Sequence, residues 1–241
     1  MSERRISSVP RPVLILLSAA FTAQIAVSAL QPRPQARADQ LPQPPAREAL
    51  SIFSLGDPIV LAQALTLFLQ AFDNQPGVSI PFAELDYEKV EAWLQRILEL
   101  DPHAQYPLMM AAQLYGQVPD RAKQRAMLDF VYREFQRDPN RRWRWLAHAA
   151  IMAKHRLNDM PLAVRYAQAL AQQATAADVP SWAKQMRIFL LADMGEYETA
   201  RVLLGGLLDS GQVKDPHEIH FLIEQLDRLK SAEKSSLPSE N

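Results

Sequence analysis

An all-α fold is what this sequence predicts, on three observations. Glycine occurs only 7 times in 241 residues, and the period-two alternation of Val, Ile and Thr that marks strands is almost absent. Leu, Ala, Gln, Arg and Glu dominate instead, residues that lose little side-chain freedom in a helix. Aspartate followed by proline recurs ahead of apolar runs, the pattern of a capped helix start. The same composition excludes several functions. A formal net charge of -1 gives no global field that would select nucleic acid or an acidic surface. With no cysteine there are no disulfides, thiolate nucleophiles, cysteine zinc sites or lipidated N-terminal cysteine. Scarce glycine argues against a glycine-rich phosphate loop.

The first element is apolar. Arg4, Arg5 and Arg11 precede the uncharged run VLILLSAAFTAQIAVSAL, Val13 to Leu30. As a helix it would span roughly 27 Å, the short end of a bilayer crossing. We read residues 1–12 as a cytoplasmic basic lead and 13–30 as a single-pass inner-membrane anchor, because the run exceeds the apolar stretch of about 7–15 residues usual in a cleaved signal. The alternative is cleavage after Ala29 or Ala38 and release into the periplasm. Either way, the chain beyond Leu30 is expected on the periplasmic side. Gln31 to Arg47 reads QPRPQARADQLPQPPAR, with five prolines, and predicts an extended spacer within a linker over 31–50.

From 51 to 230 we expect a domain of about nine helices, and from 231 to 241 a disordered tail. Asp57 with Pro58 opens the first helix, Asp86 the next, and a third runs from about Pro119 to Arg137. Asp159 with Pro161, Val179 with Pro180, and Asp215 with Pro216 open three more, Glu218 completing a capping box with Asp215. Gly195 and Gly211 fall where preceding helices should end. FDNQPGVSIPF, Phe72 to Phe82, interrupts the rhythm. Pro76-Gly77 suits the centre of a type II turn. Asp73 and Asn74 bring no His, Ser or Lys with them, so we expect a structured loop rather than a catalytic one.

Self-comparison shows a period. LELDP and FQRDP end 37 residues apart, and Ala200, Ala163, Ala126 and Val90 follow one another at 37, 37 and 36. A slim residue at such spacing suits the close crossing of paired helices. In FLLADMGEYETARVLLGGLL and WLQRILELDPHAQ the chain resembles the tetratricopeptide-repeat family, over roughly Tyr87 to Gly211. The resemblance implies a right-handed α-solenoid of helical hairpins, in which the first helix of each pair lines a concave surface. Arg144–Leu157 and Ser181–Met194 would be first helices. Their inward stripes would be Trp145, His148, Met152 and His155, then Trp182, Gln185 and Phe189. Aromatic anchors beside an adaptable methionine suit a groove that takes a peptide or helix. Coverage of the same residues by neighbouring helices or by the Phe72–Phe82 loop is the alternative.

The stretch RRWRWLAHAAIMAKHR, Arg141 to Arg156, tests other chemistries. Leu146, Ala149, Ala150, Ala153 and Leu157 share one narrow helical face, which we expect to be core. Between Asp120 and Arg165 there are 11 Lys and Arg against 5 Asp and Glu, a pattern that can track phosphates. No nucleic-acid motif accompanies it, and Glu48 to Asp101 carries nine acidic and two basic residues. Mutual screening is the preferred account, with no nucleic acid as partner. His148 and His155 lie two turns apart, roughly 10 Å along the axis, too far for one ion. His217, His220 and Glu224 share a face, but opposite Ile219, Leu222 and Leu226, as a solvated side would. No metal site, cofactor motif or nucleophile elbow is found. We therefore expect a non-enzymatic scaffold that binds a partner protein of the cell envelope. An enzyme, or an enzyme accessory, acting on the cell wall is the alternative.

Overall fold

Carboxylates begin most of the helices. In the computed structural model, which describes residues 10–30 and 38–236, Asp57 accepts from the amides of Ile59 and Val60 and opens α3 (Pro58–Ala71). Asp86 does the same for α4 (Tyr87–Leu100), Asp120 for α6 (Arg121–Arg137), Asp138 for α7 (Pro139–His155) and Asp159 for α8 (Met160–Gln173). Each bond satisfies an amide that the helix leaves without a partner. Pro180 opens α9 (Ser181–Asp193) without a side-chain cap, and α10 follows over Tyr197–Asp209. Asp215 accepts from His217 N at 2.8 Å at the head of α11 (Pro216–Ser236). Glu218 departs from the expected capping box, since its Oε1 accepts from Gln185 Nε2 at 2.6 Å. Gly195 and Gly211 follow α9 and α10 at φ 81° and 65°, a backbone that favours glycine.

The described chain divides into two units. One comprises residues 1–39 and 74–79. In it α1 (Arg11–Leu30) has 20 residues and none buried, and is long and apolar enough to cross a membrane, about 30 Å. Its Thr22 hydroxyl donates to Ser18 O at 2.8 Å, so that polar group is satisfied within the helix. The unit also holds a two-stranded antiparallel hairpin, β1 (Asn74–Gln75) and β2 (Val78–Ser79), with Asn74 opposite Ser79. Gly77 takes φ 79° at the turn, as a type II turn requires at its third residue. The Gln75 amide accepts from Asp39 N at 2.8 Å and donates to Asp39 O at 2.9 Å, tying the proline-rich segment to the loop.

The other unit covers residues 40–73 and 80–241. Here residues 40–50, expected to belong to a linker over 31–50, are packed. Leu41 and Leu50 are buried, and Pro42 O accepts from the Trp93 indole at 2.8 Å. Helix α2 (Arg47–Phe53) already belongs to the fold. Residues 40–46 form no helix or strand, but two leucines and a buried indole N–H needing an acceptor hold this proline-rich stretch against the fold. At the other end α11 runs beyond residue 230. Residues 1–9, 31–37 and 237–241, parts of the lead, linker and tail, lie outside the described residues.

Consecutive helices pack on one another: α3 on α4, then α6 through α11 in series. Between α4 and α6 the chain makes three short turns, α5 (Tyr106–Met109), a π-turn (Met110–Leu114) and a 3-10 turn (Tyr115–Gln117). A Cβ at Gly116 would lie 2.8 Å from Ala111 O, so only glycine permits this return. The expected slim residues Val90, Ala163 and Ala200 are fully buried as the fourth residues of α4, α8 and α10. In α6 the fourth residue is instead Gln124, buried and donating to Val118 O at 2.6 Å. Ala126 lies two places later and is only half-buried, because the Asp120 cap sets the register there.

Candidate functional site

Helix α7 carries the expected core face: Leu146, Ala149, Ala150 and Ala153 are buried, as is Leu157 just past the helix end. Arg142, in the first turn of α7, is also buried, at 4 % exposure. Its guanidinium holds Glu134 Oε2 at 2.6 Å and the Glu134 and Pro102 carbonyls at 2.7 and 2.9 Å. Glu134 takes Arg137 as well, at 2.6 Å. Arg125, Arg141, Arg165 and Lys154 find carboxylates on Asp129, Asp159, Asp138 and Asp193. Among the described residues, Arg133 with Glu91 is the ion pair that joins the basic segment to the acidic one. Screening of the basic excess is therefore largely local.

The seven candidate groove residues do not share one surface. Trp145 donates its indole N–H to Gln105 Oε1 at 2.7 Å. Met152 is buried, its sulfur accepting from Gln117 Nε2 at 3.6 Å. His148 is half-buried, with Nε2 enclosed and without a hydrogen-bond partner among the described residues. Burial lowers its pKa below the ordinary value, against an opposite effect of the Ala112 backbone, so the ring is neutral near pH 7. These three side chains of α7 thus lie against the turns that precede α6. Gln185 is likewise buried, donating to Glu218.

The remaining three come together. His155, Trp182 and Phe189 line one cleft of about 270 Å³ between α7 and α9, with Ile151, Met186 and Leu190. Trp182 is 49 % and Ile151 46 % exposed, while Phe189 is half-buried with its ring 6.2 Å from that of Phe221. Lys154 and Asp193 pair across the cleft at 2.5 Å. Trp143 extends the surface, meeting Trp182 edge-on at 5.6 Å with Arg144 over its own face at 5.7 Å.

Trp143, Ile151 and Met186 are absent from the sequence-predicted set. On α7 the cleft side is rotated from the predicted stripe by roughly a third of a turn, at about 100° per residue. The spacing of Trp143, Ala147 and Ile151, each four apart, was a legible signal for it.

Apolar side chains around one fixed ion pair suit contact with an apolar surface bearing a few polar groups. Among the described residues no group of three or more His, Asp or Glu is placed to hold a metal ion. His220 pairs with Glu224 at 3.3 Å, and both are exposed. Set against known protein families, curated proteins and solved structures, the chain matches none of them.

Proposed function

We propose that this protein is a membrane-anchored, non-enzymatic scaffold of the cell envelope that captures a partner protein in the α7–α9 cleft. The observation that carries it is the pairing of exposed Trp182 and Ile151 with the half-buried Phe189 in that cleft. Large aromatic groups on a rigid helical surface are what partner-binding hot spots are built from. The exposed, membrane-length α1 supports anchoring. Arg4, Arg5 and Arg11 ahead of the apolar run favour a cytoplasmic N-terminus and a helical domain in the periplasm. Helices packed in series are compatible with an α-solenoid of tetratricopeptide-like hairpins.

Photo-crosslinking in cells tests this. A benzophenone amino acid at Trp182 is expected to give a discrete adduct that the same probe at exposed Val202 does not. Equal labelling at both positions would sink the cleft as the docking site. Protease protection in spheroplasts checks the topology, and turnover of purified peptidoglycan by the isolated protein would replace the scaffold with an enzyme.

A further inference from the structure

A second cavity, of about 380 Å³, opens between α9 and α10, within the range of small-molecule sites. Its charge is one-sided. Among the described residues Lys184 and Arg187 line it, and no carboxylate does. Lys184 Nζ donates to Ala176 O at 3.0 Å. Arg187 makes no hydrogen bond or ion pair among the described residues, and its Nε is enclosed. That sets it apart from Arg125, Arg133, Arg142, Arg165 and Arg201, each held by a carboxylate. An enclosed guanidinium N–H without an acceptor bears the full desolvation cost of a bond not made.

Three acceptors of the neighbouring elements are already taken. The Gly206 and Leu207 carbonyls that close α10 receive Ser210 N at 3.0 Å and Ser210 Oγ at 2.7 Å. Glu218 accepts from Gln185. The first turn of α9 has no side-chain cap and adds positive potential on the same side. Ile188 on α9 and Leu203 and Leu207 on α10 add an apolar lining.

We propose that this cavity binds a small amphipathic organic anion. Its carboxylate or phosphate is held by the Arg187 guanidinium beside Lys184, and its short hydrocarbon portion lies on Ile188, Leu203 and Leu207. An arginine fork matches either oxyanion, and the apolar wall excludes a bare inorganic ion as the best ligand.

The test uses the full-length protein in neutral detergent, with butyrate and butyl phosphate as probes and butan-1-ol and butylammonium as controls. Saturable binding by calorimetry, together with a shift of the Arg187 Nε–H resonance, is expected for one or both anions. Whichever binds names the head group. Arg187→Gln should weaken binding about ten- to hundredfold without lowering the melting temperature of the ligand-free protein, and Arg187→Lys should retain part of the affinity. No saturable binding, equal binding of the controls, or equal binding by Arg187→Gln would each overturn the proposal. If Arg187→Gln does not fold, the Arg187 resonance of the wild-type protein decides alone: unmoved by both anions, it ends the proposal.

Discussion

Helices α6 to α8 and helices α9 to α11 belong to one packed series, yet they treat their polar and apolar groups differently. Between α6 and α8 almost every charge is committed. Asp129 receives Arg125, Arg165 and the Tyr166 hydroxyl at 3.2, 3.3 and 2.8 Å. Arg165 also lies over the stacked rings of Tyr132 and Tyr166. From α9 onward, Trp182, Val202, Phe221 and Ile223 are exposed, and Arg187 has no partner among the described residues. Here α10 carries two adjacent glycines, Gly205 and Gly206, which no neighbour requires. A network closed on itself spends its groups on holding the fold. Groups left open remain for a ligand or partner.

The sharpest way to break this contrast is at its centre. Glu134→Ala strands the buried Arg142 charge and should cost about 3–5 kcal/mol in urea unfolding. A loss below about 1 kcal/mol would mean that the α6–α7 network does not hold the fold. Met152→Ala should cost about 2–5 kcal/mol with partner capture falling only in step with the folded fraction, because Met152 is packed against Gln117.

A pH series probes the same packed stripe. Burial depresses the folded-state pKa of His148, so below its unfolded value of about 6.5 the unfolded chain binds the proton first. Stability should therefore fall as pH drops below that value, and His148→Gln should flatten the dependence. An unchanged slope would place the titration elsewhere.

Smaller effects belong to positions that neighbours leave open. Gly205→Ala meets nothing within 4 Å and should stabilise by about 0.5–1 kcal/mol, measurable as a raised melting temperature. Ile151→Ser, at an exposed site, should change stability by only about 0.5 kcal/mol while reducing crosslinking from Trp182. Loss of folding with crosslinking intact would assign Ile151 to the core.

Much of the framework was legible in the chain. Asp57, Asp86 and Asp159 start helices, Gly195 and Gly211 follow helix ends, and Leu146 to Leu157 holds a core face, each as its local pattern predicts. The candidate surface was legible only in part. His155, Trp182 and Phe189 share a cleft, while Trp145, His148, Met152 and Gln185 are taken up in packing. A stripe mixing aromatic, polar and sulfur groups looks alike whether solvent or another segment covers it.

By itself the sequence determined a predominantly helical fold, many of the helix starts and stops, and an N-terminal helix of membrane length. These rest on contacts three or four residues apart, on backbone preference, and on the mean apolarity of one run. Only the tertiary structure decided which flank of α7 meets the Tyr106–Gln117 turns, that Arg142 is buried on Glu134, and that Arg187 is left without an acceptor among the described residues. Those outcomes depend on partners from about 8 to 40 residues away. A helix presents three sides at once, and local periodicity does not say which neighbour takes which.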